Sequence, residues 1–219
     1  MTQTQKDRDA LREWAVFYES GLRRQNSDVN LTQAQIAKDR TRLEADPIEW
    51  IRFFFPEYCK FEFAEFQIKA IRRCIKHEEW FEVLSWARGL AKSTTVMFIV
   101  IYLALTKKKC NVMMASATQD SAVRLLDPYK KQLEENALIR AYYGVQVNLG
   151  NWCAEEFVAK CGCSFRAVGA GNAPRGSRNG AVRPDVLLVD DFDTDEGCRN
   201  PDTIDKNWTW WEKALYGTR

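Results

Sequence analysis

Lys92 and Ser93 stand between a short apolar segment, residues 81–86, and a longer one, residues 92–105. If the first is a strand and the second a helix, the helix N-terminus lies just beyond the strand. Backbone N–H groups and the positive end of the helix dipole converge there on any anion. The run Trp86-Ala87-Arg88-Gly89-Leu90-Ala91-Lys92-Ser93-Thr94 would then wrap a phosphate chain. Lys92 would reach the terminal phosphates, and the Ser93 hydroxyl would hold magnesium. Measured against the strict pattern G-x-x-x-x-G-K-[ST], Trp86 and Ala91 replace both glycines and only Gly89 remains. Taken alone, the Lys-Ser pair is weak evidence, and the plainer reading is a helix start capped by Ser93.

A second constellation lies about a hundred residues downstream, where Val186-Leu187-Leu188-Val189 runs into Asp190-Asp191. Four apolar residues suit a strand buried on both faces. Such a strand delivers its terminal carboxylates beside the loop of a neighbouring strand. Asp190 suits the magnesium shell, and Asp191 suits orienting and polarising an attacking water. The alternative is a pair of turn residues after a strand. Between the two constellations lies a glycine-rich basic loop, Gly169-Ala170-Gly171-Asn172-Ala173-Pro174-Arg175-Gly176, followed by Arg178 and Arg183. Its arginines could sense a phosphate, touch DNA or reach a neighbouring subunit; the plainer reading is a solvated loop. Ser116-Ala117-Thr118-Gln119 follows an apolar run and suits a helix cap. Phe61 to Gln67 ends in a side-chain amide able to pair with adenine.

These residues need elements to hold them. Alternation of apolar runs predicts strands at 81–86, 111–116 and 185–190, a hairpin over 156–168 turning near Cys161-Gly162, and helices over 63–75, 92–105 and 119–135. Asp46-Pro47 marks another helix start. Strand and helix in alternation, with a late apolar strand, implies an α/β fold: a doubly wound, mostly parallel sheet flanked by helices. Residues 1–60 read as a helical N-terminal extension, with Leu11, Trp14, Ala15, Tyr18 and Leu22 at helical spacing. Residues 61–219 read as the main domain. In the 63–75 helix, Lys69, Arg72, Arg73 and Lys76 form one cationic stripe. It could follow DNA phosphates, though such a stripe is more often a solvated face.

Bulk properties narrow the class. The 219 residues are 46% apolar and 28% charged with net charge +2, which is globular composition and permits a local basic surface. The first thirty residues lack a signal core, and the run Val96 to Leu105 is about half a membrane span, so a soluble intracellular protein is expected. The seven cysteines are scattered, which suits reduced thiols. The one loose cluster, Cys153, Cys161 and Cys163, lacks the paired spacing of a zinc site, and the one histidine, His77, is far away.

The ordered combination resembles the N-terminal ATPase domain of the large terminase subunit of tailed bacteriophages. Ala87-Arg88-Gly89 followed by Ala91-Lys92-Ser93-Thr94 resembles that family's deviant Walker A motif. Pro174-Arg175-Gly176, Arg183-Pro184-Asp185 and the acidic strand are similar to its Walker B neighbourhood. So are Asp195-Glu196, Arg199-Asn200 and the Trp208 to Trp211 helix, and Phe66-Gln67 resembles the adenine motif. The resemblance spans residues 60–213. Ala91 and Asp191 depart from the commoner glycine and glutamate.

The resemblance implies a P-loop NTPase of the ASCE type that couples hydrolysis of ATP, with Mg²⁺, to translocation of double-stranded DNA into a procapsid. It implies nucleotide contacts from Gln67, Arg88, Gly89, Leu90, Ala91, Lys92, Ser93 and Thr94, metal contacts from Ser93 and Asp190, and catalysis by Asp191, Arg88 and Lys92. The arginine that stabilises charge in hydrolysis is Arg88, Arg175 or Arg178. Implied partners are the portal protein, the small terminase subunit and further copies in a ring, in the host cell cytoplasm and with no membrane. The family's nuclease domain is not represented in these 219 residues, so a truncated motor fragment is expected. Two other readings stay open. One is another P-loop translocase or helicase fragment, and the other is a nucleotide-binding assembly module without turnover.

Overall fold

The computed structural model describes residues 32–172, 179–193 and 197–218. Helix α1 (Gln33–Ala45) opens on a reciprocal cap: Gln35 N–H donates to Thr32 Oγ1 at 3.3 Å, and Thr32 N–H donates to Gln35 Oε1 at 2.8 Å. Asp46 ends α1 and caps α2 (Pro47–Phe54), accepting from Ile48 N–H at 2.9 Å. Proline at the first helical position loses no hydrogen bond there. Helix α2 buries Ile48, Trp50, Ile51 and Phe54. Trp50 Nε1 donates to Tyr143 Oη at 2.8 Å, and Tyr143 donates onward to Glu44 Oε1 at 2.9 Å. The Trp50 ring also meets Tyr102 edge-on at 5.1 Å. The described part of the expected extension therefore shares its core with the rest of the chain. Leu11 to Leu22 lie outside the described residues.

Helix α3 (Glu65–Lys76) buries Ala70, Ile71 and Ile75. Its cationic stripe spends part of its charge internally, because Lys69 pairs with Glu65 and Arg73 with Glu82. Helix α4 (Lys92–Leu105) is buried without interruption from Met97 to Leu105, as an apolar helix inside a domain must be. Then come β1 (Asn111–Ser116), α5 (Gln119–Glu135), α6 (Ala137–Tyr143), β2 (Glu156–Val158), β3 (Ser164–Gly169), β4 (Val186–Val189) and α7 (Pro201–Trp210). A π-helical turn, Trp211–Leu215, follows α7. Helix α6 was not among the expected elements; it starts where Asn136 Oδ1 accepts from Ile139 N–H at 3.0 Å.

The sheet order is β2-β3-β1-β4, with β1 parallel to both neighbours and β2 antiparallel to β3. The β2–β3 hairpin turns at Gly162, whose N–H donates to Ala159 O at 2.8 Å. Strand β1 is buried along its whole length, as a central parallel strand should be. Val112 and Met114 face the core under the helices, whereas Met113 and Ala115 face Leu215, Trp210 and Trp211. The architecture is mixed α/β, with a four-stranded, mostly parallel sheet flanked by helices.

One expected strand does not form. Residues 81–86 make no ladder, and their backbone pairs with no described residue. Their side chains keep a period of two, with Phe81, Val83 and Ser85 exposed and Glu82, Leu84 and Trp86 half-buried. The local signal for an extended segment was sound. A strand also needs a neighbour to satisfy its N–H and C=O groups, and the sheet stops at β4.

Candidate functional site

The beginning of α4 and the end of β4 meet. Lys92 Nζ donates to Asp190 Oδ1 at 3.1 Å, and Ser93 Oγ approaches Asp190 Oδ2 at 3.4 Å. Lys92 is 37% exposed and Asp190 21%, so this pair of charges is open to an incoming polar group. The loop before it is shaped by two left-handed residues, Gly89 at φ 87° and Ala91 at φ 54°. Ala91 is the N-cap of α4 and provides no side-chain cap. The first-turn N–H groups therefore lack a side-chain acceptor. Left-handed residues alternating with ordinary ones bend a chain into a concave row of N–H groups suited to anions.

Three contacts hold this loop. Leu90 N–H donates to Ala87 O at 3.3 Å. Gln67 Nε2 donates to Leu90 O at 3.2 Å while its Oε1 accepts from Ala64 N–H at 2.9 Å. Gln67 thus ties the first turn of α3 to the loop. Thr95, which sequence reasoning passed over, is buried and donates its hydroxyl to Ala91 O at 2.9 Å. A hydroxyl one turn inside an apolar helix was the available signal. Leu90 is exposed and Thr94 half-buried, and neither side chain makes a polar contact with a described residue. Arg88 is exposed and forms no ion pair with a described residue.

Asp191 turns the chain after β4 with φ 46°. Its carbonyl accepts from Ala117 N–H at 3.2 Å and from Ser116 Oγ at 3.2 Å, which locks it to the end of β1. Its carboxylate is exposed and makes no hydrogen bond with a described residue. The Ser116–Gln119 segment therefore does two jobs. Ser116 and Ala117 hold the acidic corner, and Thr118 caps α5 by accepting from Ser121 N–H at 3.1 Å. Tyr129 lies close enough to feel this corner: burial, then the charge of Asp190, pushes its phenol up, so it stays protonated.

The glycine-rich loop is anchored at its root. Gln119 Oε1 accepts from Gly169 N–H at 2.9 Å and from Asn172 Nδ2 at 3.0 Å. Asn172 O accepts from Trp210 Nε1 at 2.7 Å, and the Trp210 ring stacks on Phe192 at 5.6 Å. The segment leading to the arginines is thereby joined to the residue after Asp191. Arg175 and Arg178 lie outside the described residues, as do Asp195 and Glu196. Cys153 is exposed and Cys163 buried, and no group of three His, Cys, Asp or Glu among the described residues could hold a metal ion. No described helix is long and apolar enough to cross a membrane.

A cavity of about 430 Å³ runs along β4, from Asp185 at one end to Lys92, Ser93 and Asp190 at the other. No family model, curated protein or solved structure matches the chain.

Proposed function

We propose that this chain binds and hydrolyses ATP at the corner where α4 and β4 meet, as the motor domain of a terminase-like DNA-packaging enzyme. One observation carries the reading: Lys92 and Asp190, distant in sequence, lie 3.1 Å apart at a helix start and a strand end. The sequence picked both for phosphate chemistry. A triphosphate competes with Asp190 for the Lys92 ammonium and adds the first-turn N–H groups of α4 as further donors. The Ser93 hydroxyl and the Asp190 carboxylate, 3.4 Å apart, form an oxygen pair of the kind Mg²⁺ takes alongside phosphate oxygens. When bound, that ion neutralises charge on the β- and γ-phosphates. Asp191, one residue beyond and solvent-facing, orients the attacking water. Arg88, which forms no ion pair with a described residue, offers its guanidinium to charge that builds on the transferred phosphoryl group.

The wider assignment rests on the ordered motifs. Double-stranded DNA is the translocated polymer, with a portal protein, a small subunit and further copies of the chain as partners in the host cytoplasm. A second reading, nucleotide binding without turnover, draws on the exposed Asp191 carboxylate, which makes no hydrogen bond with a described residue, and on the left-handed Ala91. Calorimetry with Mg-ATP, followed by a phosphate-release assay with and without duplex DNA, separates the readings. Lys92→Ala is expected to weaken ATP binding about tenfold or more, since it removes a charge-assisted contact of roughly 1.5–3 kcal/mol. Unchanged affinity in that variant overturns the site. Binding without phosphate release in the full-length protein favours the second reading.

A further inference from the structure

We propose that Cys110 and Cys163 form a paired thiol site that reacts with a low-molecular-weight disulfide and closes to an intrachain bond between the starts of β1 and β3. The inference does not depend on the ATP reading. Both cysteines are free thiols. Cys110 directly precedes β1, and Cys163 directly precedes β3. The parallel register sets Asn111 against Ser164, so one step back along both strands sets Cys110 against Cys163. Hydrogen bonds carry the pairing to that step. Ser164 N–H donates to Cys110 O at 2.9 Å. Asn179 Nδ2 donates both to Cys110 O at 3.0 Å and to Gly162 O at 2.7 Å, so one nitrogen clasps the two strand starts. Neighbouring strands lie about 4.8 Å apart, inside the Cα separation of about 4.4–6.8 Å that a disulfide spans. Side chains alternate between faces along a strand. Val112 and Met114 share the helix-covered face with Phe165 and Ala167, and the same alternation assigns Cys110 and Cys163 to that face. Cys163 belongs to that core and is 1% exposed. Its thiol senses its neighbours: burial first, then the charges of Cys161, Asp185 and Cys110 push it up.

The two thiols differ in access, which orders the chemistry. Cys110 is half-buried, whereas Cys163 is closed to solvent. The Cys110 thiolate attacks one sulfur of the small disulfide, forms a mixed disulfide and releases one small thiol. Cys163 then gives up its proton and attacks Cys110 Sγ, which releases the second small thiol. Two protein thiols are oxidised, one disulfide is reduced to two thiols, and no other reactant is needed. Burial and then Asp185 push the Cys110 thiol up, against the opposing charge of Lys109. Attack is therefore slow at neutral pH and quickens as pH rises. Cys161 is a neighbour of a different kind, held at the hairpin tip by its N–H bond to Gln146 Oε1 at 3.0 Å. Lys92 and Asp190 meet beyond the other end of β4, which runs parallel to β1. A bond between Cys110 and Cys163 thus staples the sheet at the edge away from that corner.

The test incubates the full chain with oxidised glutathione at mildly alkaline pH, blocks the remaining thiols by alkylation and maps the linkages by mass spectrometry. The expected product is a chain lighter by two hydrogens with Cys110 joined to Cys163. Its circular dichroism spectrum is expected to match that of the reduced chain. Its melting temperature is expected to rise by roughly 5 °C or more and to fall back on reduction. Cys110→Ser is expected to abolish both the linkage and the rise, whereas Cys161→Ser keeps both. Three results overturn the proposal: glutathione that stays on Cys110 as a stable mixed disulfide, a Cys161–Cys163 linkage in its place, or a Cys110–Cys163 linkage that forms only after denaturant has opened the fold. ATP titration of the reduced chain is independent of each of these results.

Discussion

Asp190 and Asp191 are neighbours in sequence with different environments. Asp190 meets Lys92 and Ser93, whereas Asp191 offers an exposed carboxylate on a backbone clamped by Ser116 and Ala117. Under the hydrolytic reading, Asp191→Asn is expected to keep ATP affinity within about twofold while turnover falls about 10²–10⁴-fold, the usual contribution of a positioned base. Asp190→Asn is expected to raise the Mg²⁺ concentration needed for half-maximal binding. Metal titrations of both variants check this, and equal loss of ATP binding in the two would make Asp191 structural. Ala91 raises a separate question. A left-handed alanine costs roughly 1–2 kcal/mol, and glycine avoids that cost but adds about 0.4–1 kcal/mol of unfolded-state entropy. Ala91→Gly is therefore expected to raise stability by up to about 1.6 kcal/mol, read from the denaturation midpoint at constant slope. A loss of stability would mean that Cβ packing outweighs the strain.

Among the described glycines, the one that lets two elements approach most closely is Gly169, at the end of β3 against the start of α5. A Cβ on Gly169 would lie 2.3 Å from the backbone nitrogen of Gln119. Backbone cannot swing aside as a flexible side chain can. Gly169→Ala is thus expected to cost roughly 1–3 kcal/mol and to break the Gln119 bonds to Gly169 and Asn172, with faster exchange at the Gly169 amide. A neutral change in melting temperature would contradict this packing. The same region shows what the sequence could and could not reveal. Strand β1 and helix α5 were legible to the residue, because an apolar run and a Thr118 cap are local signals. The Lys92–Asp190 meeting was legible as two motifs at the ends of a strand and a helix. Gly169 and Gln119 were not, because their pairing is a distance between elements with no local pattern. Nor was the lack of a ladder at 81–86, since Phe81, Val83 and Leu84 carry every local mark of a strand and pairing depends on what lies alongside. The Gln67 amide has the groups to pair with a base, and in the fold it donates to Leu90 O and accepts from Ala64 N–H.

At the scale of the whole molecule, residues 80–84 line the cavity along β4 without forming a ladder with a described residue. The polar anchor of this segment is Glu82, which accepts from Arg73 and from Trp80 Nε1. The Arg73 hydrogen bonds, aided by the Trp80 N–H, hold the Glu82 carboxyl below its ordinary value of 4.5, against the opposing effect of its own burial. The sign follows by linkage. A carboxyl depressed in the folded state contributes stability that is fully present above its unfolded pKa and is lost as pH falls through the folded one. The gap in unfolding free energy between the native chain and Glu82→Gln is therefore expected to be constant from neutral pH down to about 5 and to shrink below that. Denaturant titrations at a series of pH values measure that gap. A gap that does not change with pH would assign Glu82 a packing role in place of a charged one. The anchor also sets one wall of the cavity along β4, so acid is expected to loosen the 80–84 segment before the β1–β3 and β1–β4 ladders. Hydrogen exchange that rises first in 80–84, with β1 still protected, is the expected order, because β1 is paired on both sides and buried throughout.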